Sequence, residues 1–212
     1  EIDKVSTLAP GQVEFLPARK GDRHRTMNGE RLYFFYGADN VLEKFRSVKT
    51  STRTESDPRP NDKEKKPVVT LTRSQDLQAD FDPKTGQMTK LEQWTNFEYE
   101  EGARRATADK ATMDSLREMV TLLGHGRMWD DTGSTAADEI LLDQRTGDMT
   151  ATGNVSSVRQ PDQTAKKDQT EGMLSSKEPL QARAARMTSK EKNQKIHYSG
   201  KAVMWQSSSR LQ

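Results

Sequence analysis

An internal repeat constrains this chain more than any other feature of its sequence. Ala106 to Thr112 superimposes on Ala182 to Thr188. At the same offset of 76 residues Gly124 falls on Gly200, Met128 on Met204 and Trp129 on Trp205, with no gap. At an offset of 29, Thr107 to Asp114 falls on Ala136 to Asp143, and Gly124 on Gly153. At an offset of 61, Asp82-Pro83-Lys84-Thr85-Gly86-Gln87-Met88-Thr89 falls on Asp143-Gln144-Arg145-Thr146-Gly147-Asp148-Met149-Thr150. Three independent offsets reproduce one pattern.

Inside the repeat, apolar residues alternate with polar ones. Leu77, Ala79 and Phe81 are separated by Gln78 and Asp80, and Ile196 and Tyr198 by His197. Period two places alternate side chains on one face of a sheet. The Asp-x-x-Thr-Gly segments supply turns, with the carboxylate bonding nearby backbone and glycine taking positive φ. Each unit therefore reads as strand, turn, strand. A unit of about 29 residues also fits helical solenoids, but their spacing is sustained only at Leu116, Met119, Val120 and Leu123. The repeat register makes Ser115 to Glu118 a turn instead. The N-terminal part fits more loosely: Met27 to Leu32 resembles the start of a unit, Tyr33 to Tyr36 a strand, and Val41 to Thr54 its return. The expectation is about five units and ten strands in one elongated all-β domain over residues 1–212, with polar loop insertions at 55–67 and 159–179.

Composition sharpens this reading. Hydrophobic and charged residues each make up 31% of the chain, close to the range of disordered sequences. So polar a chain folds only if its few apolar residues are regularly placed, as an extended repetitive sheet allows. Lys and Arg number 34 against 32 Asp and Glu. The interleaved signs leave no basic patch for nucleic acid. No cysteine is present, which excludes disulfides and thiolate chemistry. No stretch reaches the ~20 apolar residues of a membrane-spanning helix. The chain begins at Glu1 rather than Met and stops at Gln212 within an expected strand, so it reads as a fragment or processed form.

No catalytic constellation emerges. His24, His125 and His197 are the only histidines, and the repeat sets His125 against Asn154 and Lys201, so neither a metal nor another cofactor is expected. Asp109 matches Asp138 and Asp114 matches Asp143, as repeated turn and strand-edge aspartates rather than an acid–base pair. Gly124-His125-Gly126 lacks the third glycine and following helix of a nucleotide fingerprint.

Ala-x-Ala-Asp-x-Ala, a turn, then Gly-x-Val or Gly-x-Ala resembles the OstA-like repeat of the bacterial lipopolysaccharide-transport family, of LptA and LptC type. The matching segments are Ala106 to Met113, Gly153-Asn154-Val155 and Tyr198 to Gln206. The resemblance is good over residues 69–212 and weaker over 1–54. It implies an open β-jellyroll, a folded and twisted pair of sheets. It also implies a non-enzymatic protein of the Gram-negative periplasm that covers lipopolysaccharide acyl chains and stacks edge to edge with related jellyrolls.

Covering acyl chains requires an inward apolar face: at about 25 cal/mol per Å², several hundred Å² of cover offsets several kcal/mol of exposure. The inward candidates are Leu77, Phe81, Trp94, Met113, Met128, Ile140, Leu142, Met149, Val155, Met187, Ile196, Tyr198 and Met204. Adjacent residues face opposite ways, so Met128 competes with Trp129, and Met204 with Trp205, for the inside. A terminal strand over Lys201 to Gln212, without a following partner, would dock to a related jellyroll or to a second copy. Two alternatives remain: a structural β-repeat scaffold whose interior is a filled core with no lipid, and a carbohydrate-active repeat enzyme. The second needs a carboxylate pair standing apart from the repeat, and none does.

Overall fold

Alternating polarity without helical spacing gives strands almost throughout. The computed structural model describes residues 2–17, 23–57, 66–161, 178–190, 195–206 and 209–211. Eight long antiparallel strands form its centre: β5 (Leu42–Ser56), β6 (Val68–Phe81), β7 (Met88–Glu101), β8 (Arg104–Asp114), β9 (Met119–Asp130), β10 (Gly133–Asp143), β11 (Met149–Arg159) and β12 (Leu180–Lys190). Each pairs with its sequence neighbour. Short strands finish both sides. β3 (His24–Gly29) and β4 (Arg31–Tyr36) lie along successive halves of β5, with β2 (Gly11–Phe15) on β3 and β1 (Lys4–Ser6) on β4. On the other side, β13 (Lys195–Ser199) and β14 (Val203–Gln206) lie along successive halves of β12, and β15 (Ser209–Leu211) pairs β14.

The all-β sheet expected from the repeat, and the open jellyroll that the resemblance implies, are the observed fold, with one correction of number. About ten strands were expected, whereas fifteen are found among the described residues. The difference lies at the sheet's sides, where a chain reversal splits what would be one long strand into two short ones. The same effect corrects the C-terminal expectation: Lys201 to Gln212 is not one strand but β14 and β15, and Met204 pairs both Ala182 and Leu211. Of the expected loop at 55–67, Glu55 and Ser56 belong to β5; of that at 159–179, Arg159 belongs to β11. Residues 58–65 and 162–177 lie outside the described residues.

What folds this single sheet over is a column of bulges through its middle. Register shifts fall at Arg73/Asp76, Trp94/Phe97, Thr107/Lys110, Ala137/Glu139 and Thr152/Val155. On β8, Ala106, Ala108 and Ala111 are buried, so the inward phase steps by one residue between 108 and 111. On β10 it steps between Ala137 and Ile140, and on β12 between Ala184 and Met187. The facing strands answer with two consecutive positive-φ residues: Thr95-Asn96, Gly124-His125 and Gly153-Asn154. Bulges bend a sheet and increase its twist. The Ala-x-Ala-Asp-x-Ala motif is the sequence form of this bend. Two alanines face inward, Asp109 occupies the bulge, and Ala111 resumes the inward face in the opposite parity.

Glycine is needed at the bend for a specific reason. A Cβ on Gly124 would collide with the Asp109 carboxylate, and one on Gly153 with that of Asp138. Those carboxylates accept from the next residue: His125 Nδ1 lies 2.9 Å from Asp109 Oδ2, and Asn154 Nδ2 donates to Asp138 Oδ2 at 2.9 Å. The hydrogen bond from His125 to Asp109 raises the imidazole above its ordinary pKa. Asp109 and Asp138 thus sit at mid-strand bulges, not at the turns or strand edges the repeat alone suggested.

The turns are aspartate loops, as read from the sequence. Asp82 Oδ1 accepts from the Lys84 and Thr85 amides (2.9 and 2.8 Å), and Asp143 Oδ1 from those of Arg145 and Thr146 (2.9 and 3.0 Å). Asp114 caps the turn at Ser115 to Glu118 in the same way, accepting from Leu116 and Arg117. The Thr85 amide lowers the Asp82 pKa and the Thr146 amide that of Asp143. A depressed folded-state pKa stabilises above the unfolded value and is lost as pH falls through the folded value. Both turns should therefore hold through mildly acidic solution and open only below the ordinary aspartate value of 3.8. Amide shifts of Thr85 and Thr146 followed in an acid titration check this, and Asp82→Asn should remove the step at Thr85 alone.

Candidate functional site: the trough between the walls

Folding at the bulge column gives the sheet two facing walls. The first carries β4, β13 and the halves of β5 to β12 nearest the Asp82, Asp114 and Asp143 turns. The second carries β2, β3, β14 and the opposite halves. Side chains meet across the space between them. Phe15, from the second wall, packs on Phe45 and Phe81 of the first, with ring centroids 5.9 and 5.5 Å apart. Tyr198 Oη on β13 lies 2.6 Å from Ser157 Oγ on β11. No backbone hydrogen bond is needed for these contacts, because each wall completes its ladder within itself.

The interior forms two apolar clusters. One comprises Met27, Leu32, Phe45, Leu77, Ala79, Phe81 and Leu91, with Phe15, Phe34, Met88 and Met113 against it. The other comprises Phe97, Ile140, Val155, Met187 and a run of alanines, with Met128, Met149, Ile196 and Tyr198 against it. Of the residues expected to face inward, Leu77, Phe81 and Met113 thus lie in the first cluster. Met128, Ile140, Met149, Val155, Met187, Ile196 and Tyr198 lie in the second. Leu142 pairs Val120 and Met149, and Met204 pairs buried Ala182; both are half-buried and share the inward phase.

Trp94 does not. Its strand buries Leu91, Gln93 and Phe97, while Trp94 pairs Asp76 and Lys110 on the outer face. Leu91, Gln93 and Phe97 share one parity, so alternation along β7 itself puts Trp94 outside; the repeat offset of 61, which sets Trp94 on inward Val155, is what misplaces it. The open choice between Met and Trp is also settled. Met128 pairs Ala106 and Thr135 inside, whereas Trp129 is outside with the Arg127 guanidinium 5.1 Å from its ring. Trp205 is likewise outside, with Arg183 at 5.7 Å.

The trough is not apolar on every side. Near the N-terminal end the second wall presents Thr50, Thr52 and Thr54 of β5 opposite Ser74, Thr72 and Thr70 of β6. They form a hydrogen-bonded belt: Thr52 Oγ1 to Thr72 Oγ1 (2.6 Å), Thr72 Oγ1 to Gln93 Oε1 (2.8 Å), and Gln93 Nε2 to Ser74 Oγ (3.2 Å). Beside the belt, Tyr99 Oη donates to Glu101 Oε2 (3.0 Å), and burial pushes the Tyr99 hydroxyl well above its usual range. Arg25 completes the belt, only 8% exposed. Burial, with the Arg23 guanidinium nearby, pushes Arg25 down to about 10, which leaves it charged at neutral pH.

A family model described as LptA/(LptD N-terminal domain) LPS transport protein matches residues 20–148. This chain belongs to that family. No curated protein matches the chain. The family match begins before β3, so it takes in much of the N-terminal stretch where the repeat was weak. It ends at the Asp143 turn, short of the Gly153 and Tyr198 segments that carried the resemblance.

Within this lipopolysaccharide-transport jellyroll, sequence reasoning missed two kinds of inward residue. The alanines Ala106, Ala108, Ala111, Ala137, Ala151, Ala182 and Ala184 are buried in the interior, whereas the sequence shows such residues only as part of a repeat signature. The Thr/Ser belt and Arg25 gave no signal, since period-two patterns with polar residues read as outward.

Proposed function

We propose that this chain holds the acyl chains of lipopolysaccharide between its two walls, in the periplasm, and hands the lipid on to related β-jellyroll proteins docked along its strand edges. It does this without catalysis. Family membership carries the reading, and one structural observation supports it. The walls are tied across the trough by side chains, while their backbone ladders run through the bulge column and around the back. The trough can therefore part along its mouth without breaking a ladder, and lipid chains replace the contacts that the walls make with each other. Methionines at Met113, Met128, Met149 and Met187 suit chains of varied shape. The outer sides of β1 and β15 offer the docking edges, since unpaired strand edges recruit strands.

One observation favours the alternative of a lipid-free scaffold: Ile140 and Ala151 are fully buried by the protein's own side chains. Photocrosslinking separates the two. Probes at positions 81, 142 and 198 face the trough, and probes at 80, 141 and 197 face outward. Labelled lipopolysaccharide should react with the first set and not the second. Equal labelling of both sets, or none from the first, would favour the scaffold.

A further inference from the structure

Arg25 is the one inward-facing guanidinium among the described residues that is buried to 8% exposure without a carboxylate partner. Its Nε donates to Thr54 Oγ1 (3.1 Å) on its own wall, and its Nη1 reaches Met88 Sδ (2.7 Å) on the opposite wall. Two of its five N–H groups are thereby directed, one of them only to a thioether, a weak acceptor. Arg23 follows the same course, with Nη1 3.8 Å from Met113 Sδ. The neighbouring carboxylates are engaged elsewhere: Glu101 with Tyr99, Thr70 and Arg104, Glu14 with His24, and Glu55 with Arg53.

A buried charge normally acquires a counter-charge, because taking an ion out of water costs several kcal/mol unless it is paired. Place matters as much as charge here. Thr54 is two residues from the end of β5, and Met88 begins β7 just after the Asp82 turn. Arg25 therefore reaches from Thr54 on one wall to Met88 on the other, next to Phe15, its β2 partner, which stacks on Phe81, and beside the hydroxyl belt of Thr52, Thr54 and Thr72. An amphiphile with its chains among those apolar groups would bring its polar head to this level. A planar fork of N–H donors next to hydroxyls suits a phosphate oxyanion.

We propose that Arg25, with Arg23 beside it, is the seat of a phosphate group on the head of the bound lipid. This rests on the lipid-carrying function proposed above. The thioether of Met88, a weak acceptor, gives way to phosphate oxygens when the lipid enters.

Two chain-matched probes test it: 1-oleoylglycerol 3-phosphate and 1-oleoylglycerol, bound at constant ionic strength to the full chain. The wild type should prefer the phosphorylated probe by about tenfold or more, the scale of a hydrogen bond to a charged group. Arg25→Met, close in shape and apolar, should bring that ratio to about one through weaker binding of the phosphorylated probe. Thr54→Val, which only frees the guanidinium from its wall, should lower the ratio partway. An unchanged ratio in both variants overturns the proposal, as does a wild type that binds both probes equally; in those cases the lipid-carrying function stands. Binding of neither probe sinks that function and this proposal together. Inorganic phosphate that competes at the same micromolar concentrations as the phosphorylated probe would assign Arg25 to a free anion and overturn the headgroup role.

Discussion

Phe45→Ala should cost about 3–5 kcal/mol and should spend that loss on one end of the molecule. Phe45 is fully buried and packs its ring on Phe15 and Phe34, with centroids 5.9 and 5.1 Å away. Truncation removes its own transfer from water and leaves a cavity that two other aromatic side chains cannot collapse into without leaving their rotamers. The apolar interior is divided into two clusters, and Phe45 belongs to the N-terminal one. In a quasi-one-dimensional sheet each strand mainly contacts its neighbours, so a local loss need not spread. Hydrogen exchange should therefore accelerate in β3 to β6 while β9 to β12 keep their protection. Uniform acceleration would mean that the two clusters unfold as one unit.

A pair of adjacent substitutions carries the next largest contrast. Ile140→Asp should destabilise by about 4 kcal/mol or more, because it removes a buried apolar side chain and leaves a carboxylate among apolar groups. Ile140 is fully buried and pairs Ala151 and Leu122, both inside. Leu141→Asp should cost no more than about 1 kcal/mol, the span of strand propensity at a solvated position. Leu141 pairs Thr121 and Thr150 on the outer face. Denaturant melts of the two variants measure the difference. Equal losses would contradict the inward phase of β10, and with it the lining of the trough.

The repeat made most of the scaffold legible. Turn positions at Asp82, Asp114 and Asp143 could be read because an aspartate bonding amides two and three residues ahead is a local event. The inward phase of each half-strand could be read for Leu77, Ile140 or Met187 because period two is fixed by backbone geometry. The repeat register misled at Trp94, which the offset of 61 sets on inward Val155, and alternation had no direction between Met and Trp at 128–129 and 204–205, where two large residues are adjacent.

Sequence by itself determined an all-β repetitive sheet, its turns and most of its inward residues, since all of these follow from contacts between residues close along the chain or one repeat apart. Only the tertiary structure decided what the two walls bring face to face. Arg25 meets Met88 across 63 positions of sequence, and Tyr198 meets Ser157 across 41. Those meetings depend on where the bulge column folds the sheet, and no local preference of either partner encodes them.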